Sequence, residues 1–514
     1  MHILMIASEN DAIKGAKVGG VADVVRDAPR ALANFNHHVS VIIPDYANYA
    51  EQFGHCTEAH FYVAFAGQME EVILKKLGDE HHNVQQYVIS HPSFITGSVY
   101  LNDIDNRPFA RDATKYAFFC AAIAEAITLD LFAPIDVVHL HDWHSAVFVV
   151  LAKYSERYQP LTAIKQVFTV HNIALQGIRP FRYDSSSLEA WFPALSYDGQ
   201  VICDPRYPHC FNPMRAAINL ADKVHVVSKT YADEVLLPSQ PERGFFGGEG
   251  LEQDLINAKV HGKLVGIING CEYPEHDEVH ADFDAFLRRA KYNVFNWMAK
   301  SVELKTVQYL ANERINEWLA NTSVTGPIFT SIGRLTDQKV LLLRQTRDHV
   351  PVLSTILSLL AQADGRLVIL GSGDSQIEFE FMQLMAKHNN FLFLNGYGQD
   401  LSDELYGLGD LFLMPSSFEP CGISQMLALR AGQPCLVHGV GGLKDTIIDN
   451  ETGFVFFGDN LNSQIDGLLE KVSQAIECYQ HDQTHWQQLI TNAKQARFGW
   501  HQSAEQYIQA LYQN

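Results

Sequence analysis

The sequence has no Cys-x-x-Cys pair. Its eight cysteines (Cys56, Cys120, Cys203, Cys210, Cys271, Cys421, Cys435, Cys478) are scattered along the chain, which fits reduced thiols in a cytosol and argues against a zinc ribbon or a disulfide framework. No apolar run approaches the roughly 18 residues needed to span a bilayer. The opening Met-His-Ile-Leu-Met-Ile-Ala lacks a basic lead and a cleavage site, so it reads as a first strand and not as a signal peptide. These absences lead to the expectation of a soluble, cytoplasmic protein. Positive charge is also scarce. Thirty-eight basic side chains against 59 acidic ones give a net charge of -21, a field that repels nucleic acid and anionic membranes. A bound anion must therefore be held by a local group of cations, and a polymeric substrate is expected to be neutral. Low-complexity tracts and short-period repeats are missing too.

What is present is a two-part α/β pattern. At roughly 150 residues per domain, a chain of 514 residues has room for two to four domains. Short apolar runs alternate with helical stretches. In the first half they are Ile3–Ala7, Val39–Ile43, Asp136–Leu140, Lys165–Val170 and Lys223–Val227. In the second half they are Pro327–Ser331, Arg366–Leu370, Phe391–Leu394, Leu411–Met414 and Pro434–Val437. Continuous apolar runs bounded by loops and helices signal buried parallel strands, and two such series imply two doubly wound domains. The seam is placed near "GKLVGIINGCE", where Ile267-Ile268 end in the turn Asn269-Gly270. The expected division is a domain over 1–264, a second over 265–497, and a C-terminal helix over 498–514 that packs back on the first.

Ligands of open parallel sheets bind beyond the carboxyl ends of the strands. "KVGGVADVV" lies there: Gly19 and Gly20 let the backbone approach a ligand, the helix start offers N–H groups to an anion, and Lys17 adds a charge. The pattern is neither Gly-x-Gly-x-x-Gly nor a P-loop, and a plain strand-to-helix turn explains it about as well. "GRLTDQK" places Arg334 and Lys339 in one loop, a pair suited to a diphosphate or simply a solvated loop. "FEPCG" sets Glu419 before a helix start, as a cap or as a grip on sugar hydroxyls. "VVHLHDWH" gathers His139, His141, Asp142 and His144. Imidazole and carboxylate suit zinc, but Val137 shares the histidine face and Trp143 interrupts the set, so no metal is assigned. His171 in "FTVHNIALQG" ends another strand and could reach the same cleft. Asp103-Ile104-Asp105 and Asp282-Phe283-Asp284 read as surface charges.

Taken in order, "KVGGVADVV", "VVHLHDWH", "FTVHNIALQG", "ADKVHVVSKTYADEV", "GGEGLE", "IINGCE", "GRLTDQK", "FEPCGISQMLALRAG", "GGLKDT" and "GFVF" resemble the bacterial glycogen synthase and plant starch synthase family of retaining glucosyltransferases. The resemblance covers nearly the whole chain. It implies two facing doubly wound Rossmann-like domains of the GT-B type with an interdomain cleft, an acceptor side in the first and nucleotide-sugar binding in the second. It implies that Lys17, Gly19, Gly20, Asn269, Arg334, Lys339, Tyr397, Glu419, Cys421, Gly422 and Gly442 bind the donor, with Tyr397 near the base and Arg334 and Lys339 on the diphosphate. Glu419, His171, Asp142, Arg334 and Lys339 are the implied catalytic set, with Asp142 on the acceptor side.

The implied activity is metal-independent transfer of glucose from ADP-glucose to the non-reducing end of an α-1,4-glucan, with no cofactor. UDP-glucose as donor, or a small sugar or maltooligosaccharide as acceptor, is the alternative within the fold. A metallohydrolase built on the histidine cluster and a catalytically silent glucan-binding protein are the rivals outside it. Departures from the family pattern are Glu272 in "NGCEYPEHDEV", Arg215 in place of a lysine, the added "CDPRYPHCF", Val340 after the Gln-Lys pair, and the poorly matching segment Phe283 to Leu319.

Overall fold

The structure is a computed structural model that describes all residues except 54–55, 82, 102–108, 274–281, 302, 304, 322–324 and 514. Asp103 and Asp105 lie outside the described residues. The chain divides into two compact units: residues 1–239, 247–272 and 499–514 form one, and residues 240–246 and 273–498 form the other.

The first unit holds β1 (His2–Ile6), β2 (His38–Pro44), β3 (Cys56–Phe65), β4 (Gln68–His81), β5 (Val84–Ser90), β6 (Val137–His141) and β7 (Lys165–Val170). After a short pair, β8 (Arg179–Pro180) with β9 (Cys210–Phe211), come β10 (Lys223–Val226) and β11 (Leu264–Gly266). Its nine-stranded sheet has the order β11-β10-β7-β6-β1-β2-β5-β4-β3. All neighbours pair in parallel except β4, which runs antiparallel to β3 and β5. The β3–β4 hairpin is absent from the sequence expectation because its pattern is alternating rather than continuous: Phe61, Val63 and Phe65 are buried between exposed neighbours. Ala66 and Gly67 both take positive φ (50° and 75°), the backbone of a tight two-residue hairpin turn.

The second unit holds β12 (Ile328–Ile332), the small pair β13 (Thr346–Arg347) and β14 (Val350–Pro351), then β15 (Arg366–Leu370), β16 (Phe391–Leu394), β17 (Leu411–Met414), β18 (Cys435–His438) and β19 (Gly453–Phe456). Six of these form an all-parallel sheet, β16-β15-β12-β17-β18-β19. Strands such as Phe391–Leu394 and Leu411–Met414 are buried along their whole length, as sheets covered on both faces require.

The first unit runs on to Glu272, past the expected boundary at 264/265, because β11 pairs with β10 in the first sheet. Residues 499–514 belong to the same unit. Ser503 donates to the carbonyl of Ile268 at 2.7 Å. A buried chain of hydrogen bonds holds Tyr512, and its proton directions follow from one carbonyl. His225 Nε2 faces Ile267 O at 3.0 Å, so it must donate, and with burial disfavouring the charged ring Nδ1 accepts from the Thr169 hydroxyl at 2.9 Å. Thr169 Oγ1 then accepts from His139 Nε2 at 2.6 Å, and His139 Nδ1 accepts from Tyr512 at 2.7 Å.

Burial pushes His225 down to about 4 and His139 well below the usual range. For a histidine whose folded value is depressed, the stability is fully present above about 6.5 and lost as the pH falls toward 4. His225 alone is expected to cost about 2 kcal/mol by pH 5. Thermal unfolding of the parent and of His225→Gln at pH 8 and pH 5 checks this. The variant should lose clearly less stability between the two, and equal losses would refute the assignment.

Candidate functional site

In each sheet the chain reverses its winding direction once, between β1 and β6 in the first unit and between β12 and β17 in the second. Loops beyond the carboxyl ends of such strands are where doubly wound folds bind ligands. The site residues expected from the sequence are taken here unit by unit.

In the first unit, the helix Gly20–Ala33 follows the loop after β1. The two amides just before it, those of Val18 and the N-cap residue Gly19, are already taken by an internal carboxylate. Glu9, buried, accepts from Val18 N at 2.6 Å and Gly19 N at 2.7 Å through the same oxygen. Its other oxygen accepts from the Tyr100 hydroxyl at 3.1 Å. An internal carboxylate thus holds the turn that leads into the helix, and a Cβ on Gly19 would stand 3.2 Å from it. Lys17 reaches Asp23 at 2.6 Å and Asp11 at 3.1 Å. Burial works against its charge, but these two carboxylates prevail and raise its pKa. Glu9 was legible only as an acid at the end of a first strand, a signal too common to single it out.

Asp142 follows β6 in a left-handed backbone (φ 56°). It accepts from His171 N at 2.7 Å and, more weakly, from Asn172 N at 3.5 Å. Burial pushes its carboxyl up to about 7, and the neighbouring Glu9 charge adds to the rise. His171 Nε2 lies 2.9 Å from His141 Nδ1. Of the other histidines of "VVHLHDWH", His139 stacks on His141 at 4.5 Å while bonding into the chain that ends at Tyr512, and His144 turns elsewhere, against Trp143 and Tyr116. Asp142 and His171 are thus brought together, while the cluster as written does not converge on one point. Asn269 is buried, and its Oδ1 has no hydrogen-bond partner among the described residues.

In the second unit, Lys339 sits in the first turns of the helix Asp337–Arg344. It makes an ion pair with Glu419, which is buried in the loop after β17. Arg334, in the loop after β12, is exposed and has no ion-pair partner among the described residues. Gln338 fastens the two loops, donating to Phe418 O at 3.0 Å while its own carbonyl accepts from Ser417 N at 3.0 Å. Gly442 N donates to Glu419 O at 3.0 Å. The helix after "FEPCG" begins at Ser424, four residues later than the start at Pro420 that the sequence suggested. Gly422 is the left-handed residue of the turn (φ 75°), and the Cys421 thiol donates to Gly422 O at 3.4 Å. Tyr397, after β16, is 63% exposed. At the same edge Asn395 Nδ2, Ser416 Oγ and Ser417 Oγ are buried without a partner among the described residues. Buried polar atoms of this kind ask for a ligand or water.

Two family models match the chain, "Starch synthase catalytic domain" over residues 2–257 and "Glycosyl transferases group 1" over residues 321–496. The glycogen synthase of Streptococcus agalactiae serotype Ia is 32% identical over 530 residues, covering 100% of this chain and 99% of that protein. The glycogen synthase of Streptococcus equi subsp. zooepidemicus is 33% identical over 526 residues, covering 99% and 98%. The chain belongs to the glycogen synthase and starch synthase family, and it is a glycosyltransferase. The fold agrees with that of the catalytic domain of Starch Synthase IV from Arabidopsis thaliana bound to ADP and acarbose. That match has a TM-score of 0.73 at 24% identity and covers 99% of this chain and 98% of the other.

The places where this synthase departs from the family pattern have structural explanations. Arg215 is a strut: it donates to Asp254 at 2.9 Å and to the carbonyls of Gln200 and Cys203 at 2.8 and 2.7 Å. It thereby ties down the start of the added "CDPRYPHCF" loop. Val340 is buried in the core of the second unit. Asp282 caps the helix Phe283–Lys300, accepting from Ala285 N at 3.2 Å.

The raised value of Asp142 sets a pH dependence. An acid whose folded value lies above its ordinary one contributes stability at low pH that is lost as the pH rises through about 7. Asn tolerates the left-handed backbone and keeps an acceptor for His171 N. Asp142→Asn is therefore expected to be more stable than the parent at pH 8, by as much as about 4 kcal/mol, and equal to it near pH 4. Chemical denaturation at the two pH values measures this. A variant less stable at pH 8 would show that the buried charge is satisfied.

Proposed function

We propose that this synthase transfers glucose from ADP-glucose to the non-reducing end of an α-1,4-glucan with retention of configuration, in the cytoplasm and without a metal. The observation that carries the reading is the Lys339–Glu419 pair, with Arg334 lacking an ion-pair partner among the described residues, all at the winding switch of the second sheet. In the transfer the bond between the glucose C1 and the diphosphate oxygen breaks, the acceptor hydroxyl oxygen bonds to C1, and the hydroxyl proton passes to an oxygen of the departing diphosphate. Negative charge grows on the departing diphosphate. Arg334 and Lys339 supply the positive charge that meets it. Glu419, released from Lys339 as the phosphates arrive, is left to accept hydrogen bonds from glucose hydroxyls.

On the same reading, Asp142 and His171 serve the sugar and acceptor side, and Tyr397 offers its exposed ring to the base. Its residue assignments come from the family resemblance. Support for ADP as the nucleotide comes from the Arabidopsis relative, whose structure holds ADP and acarbose. UDP-glucose remains the second reading, since an aromatic ring stacks on either base.

The deciding experiment supplies ADP-glucose or UDP-glucose with glycogen or maltooligosaccharides, with and without chelator. It reads released nucleoside diphosphate and the anomeric form of the product. ADP release with new α-1,4 linkages, unchanged by chelator, is expected; loss on chelation or preference for UDP-glucose would overturn the corresponding part. Arg334→Ala should lower turnover about 100- to 1,000-fold, the usual cost of removing one donor aimed at developing charge, with the melting temperature unchanged. Near-parental turnover would remove Arg334 from the diphosphate.

A further inference from the structure

The segment Phe283 to Leu319, which matches the family poorly, has a definite place in the second unit. Its first helix, Phe283–Lys300, carries Arg289, Asn293 and Trp297 at intervals of four residues, so all three lie along one face. Each meets the loop and helix that follow β16. Arg289 forms an ion pair with Glu404 of the helix Gln399–Leu408. Asn293 Oδ1 lies 3.5 Å from the position a Cβ would take on Gly398. The Trp297 indole N–H donates to the carbonyl of Tyr397 at 3.2 Å. The indole ring lies so close to Gly396 that a Cβ there would stand 2.6 Å from it. The turn Gly396-Tyr397-Gly398 is thus pinned on one side, while the Tyr397 ring is exposed and its hydroxyl donates to Gln399 at 2.7 Å.

We propose that Trp297 is a positioning residue for the donor nucleotide, holding the turn after β16 so that the Tyr397 ring stands ready as a stacking platform for the base. This rests on the placement of Tyr397 at the base given under Proposed function. An exposed aromatic on a loose turn must be ordered when its ligand binds. One whose backbone is already fixed avoids that entropy loss, so pre-organisation appears as affinity. Stacking on a base is strong enough for this to be measurable. The indole serves twice, through its N–H and through its bulk against a residue that must be glycine. Trp297 touches the turn and not the reacting atoms, so its loss should act on binding and leave the chemical step alone.

The test uses the full-length enzyme with Trp297→Phe, Trp297→Leu, Tyr397→Ala and the double variant Trp297→Leu/Tyr397→Ala. Dissociation constants of ADP and UDP are read by calorimetry, with KM and kcat for the nucleotide-sugar. Trp297→Leu is expected to raise both the dissociation constant and the KM about tenfold. Trp297→Phe, which keeps the ring and loses the N–H, should raise them about fivefold. In both, kcat should stay within about twofold of the parent, as for lost uniform binding. The double variant should bind no more weakly than Tyr397→Ala, because Trp297 acts only through Tyr397.

Parental nucleotide affinity in Trp297→Leu, alongside weakened binding in Tyr397→Ala, would overturn the bracing role while leaving Tyr397 at the base. Parental affinity in Tyr397→Ala would remove the base assignment itself, and the bracing role with it. Additive losses in the double variant would also overturn it. Should Trp297→Leu fail to fold, Trp297→Phe and Gly396→Ala give the same readout, the latter by pushing the turn off the indole.

Discussion

Parallel pairing is the constraint on which the rest of this molecule depends. A parallel sheet brings every strand's carboxyl end to one edge, and each crossover returns the chain to the opposite edge before the next strand. In the second unit this alone brings Arg334, Lys339, Tyr397, Glu419 and Gly442 to one edge, although more than a hundred positions separate the first from the last in the chain. In the first unit it does the same for Lys17, Asp142 and His171. Side-chain chemistry then selects among loops that the topology has already gathered.

The two edges handle charge differently. In the first unit the charges largely satisfy one another: Glu9 holds the turn that leads into the helix, and Asp11 and Asp23 hold Lys17. An incoming anion would compete there with carboxylates already in place. In the second unit Lys339 has a single carboxylate partner, Glu419, and Arg334 has none among the described residues. In a chain of net charge -21, that local excess of positive charge is what a leaving diphosphate requires. Buried polar atoms without partners among the described residues occur at both edges, Asn269 and His141 in the first unit and Asn395, Ser416 and Ser417 in the second.

Much of this was legible in the sequence because buried parallel strands announce themselves as unbroken apolar runs. Lys165–Val170, Arg366–Leu370, Phe391–Leu394 and Leu411–Met414 have the ends read from the sequence. The β3–β4 hairpin was not legible by that criterion, since an edge with one exposed face alternates. Nor was the end of the first unit, because the three residues of β11 carry too little pattern to show which sheet they join. Glu9 and Trp297 were missed for a different reason. Their roles are bonds to the backbone of other segments, Val18 and Gly19 in one case and Tyr397 in the other. No spacing in the sequence records a partner of that kind. The "VVHLHDWH" motif shows the converse: His139 and His141 share one strand face and stack on each other, but the turn after the strand sends Asp142 to the amide of His171 and His144 against Trp143 and Tyr116.

The position of Glu419 is fixed by backbone more than by side chains. Gly441 takes a positive φ of 44°, and a Cβ there would fall 2.0 Å from Glu419 O; on Gly442 it would fall 2.1 Å from Cys421 O. The loop after β17 therefore lies directly against the chain entering the helix Gly441–Thr446, with Gly442 N bonded to Glu419 O. Gln425 closes the other side, donating to the carbonyls of Cys421 and Gly422 at 3.0 Å each. Main chain packed this closely cannot shift to follow a side chain. On the proposed reading, when Lys339 turns from Glu419 toward an arriving phosphate, the long lysine side chain moves and the carboxylate stays. One ion pair then serves two ends of a sugar phosphate: the cation follows the phosphate, and the carboxylate is uncovered for the sugar.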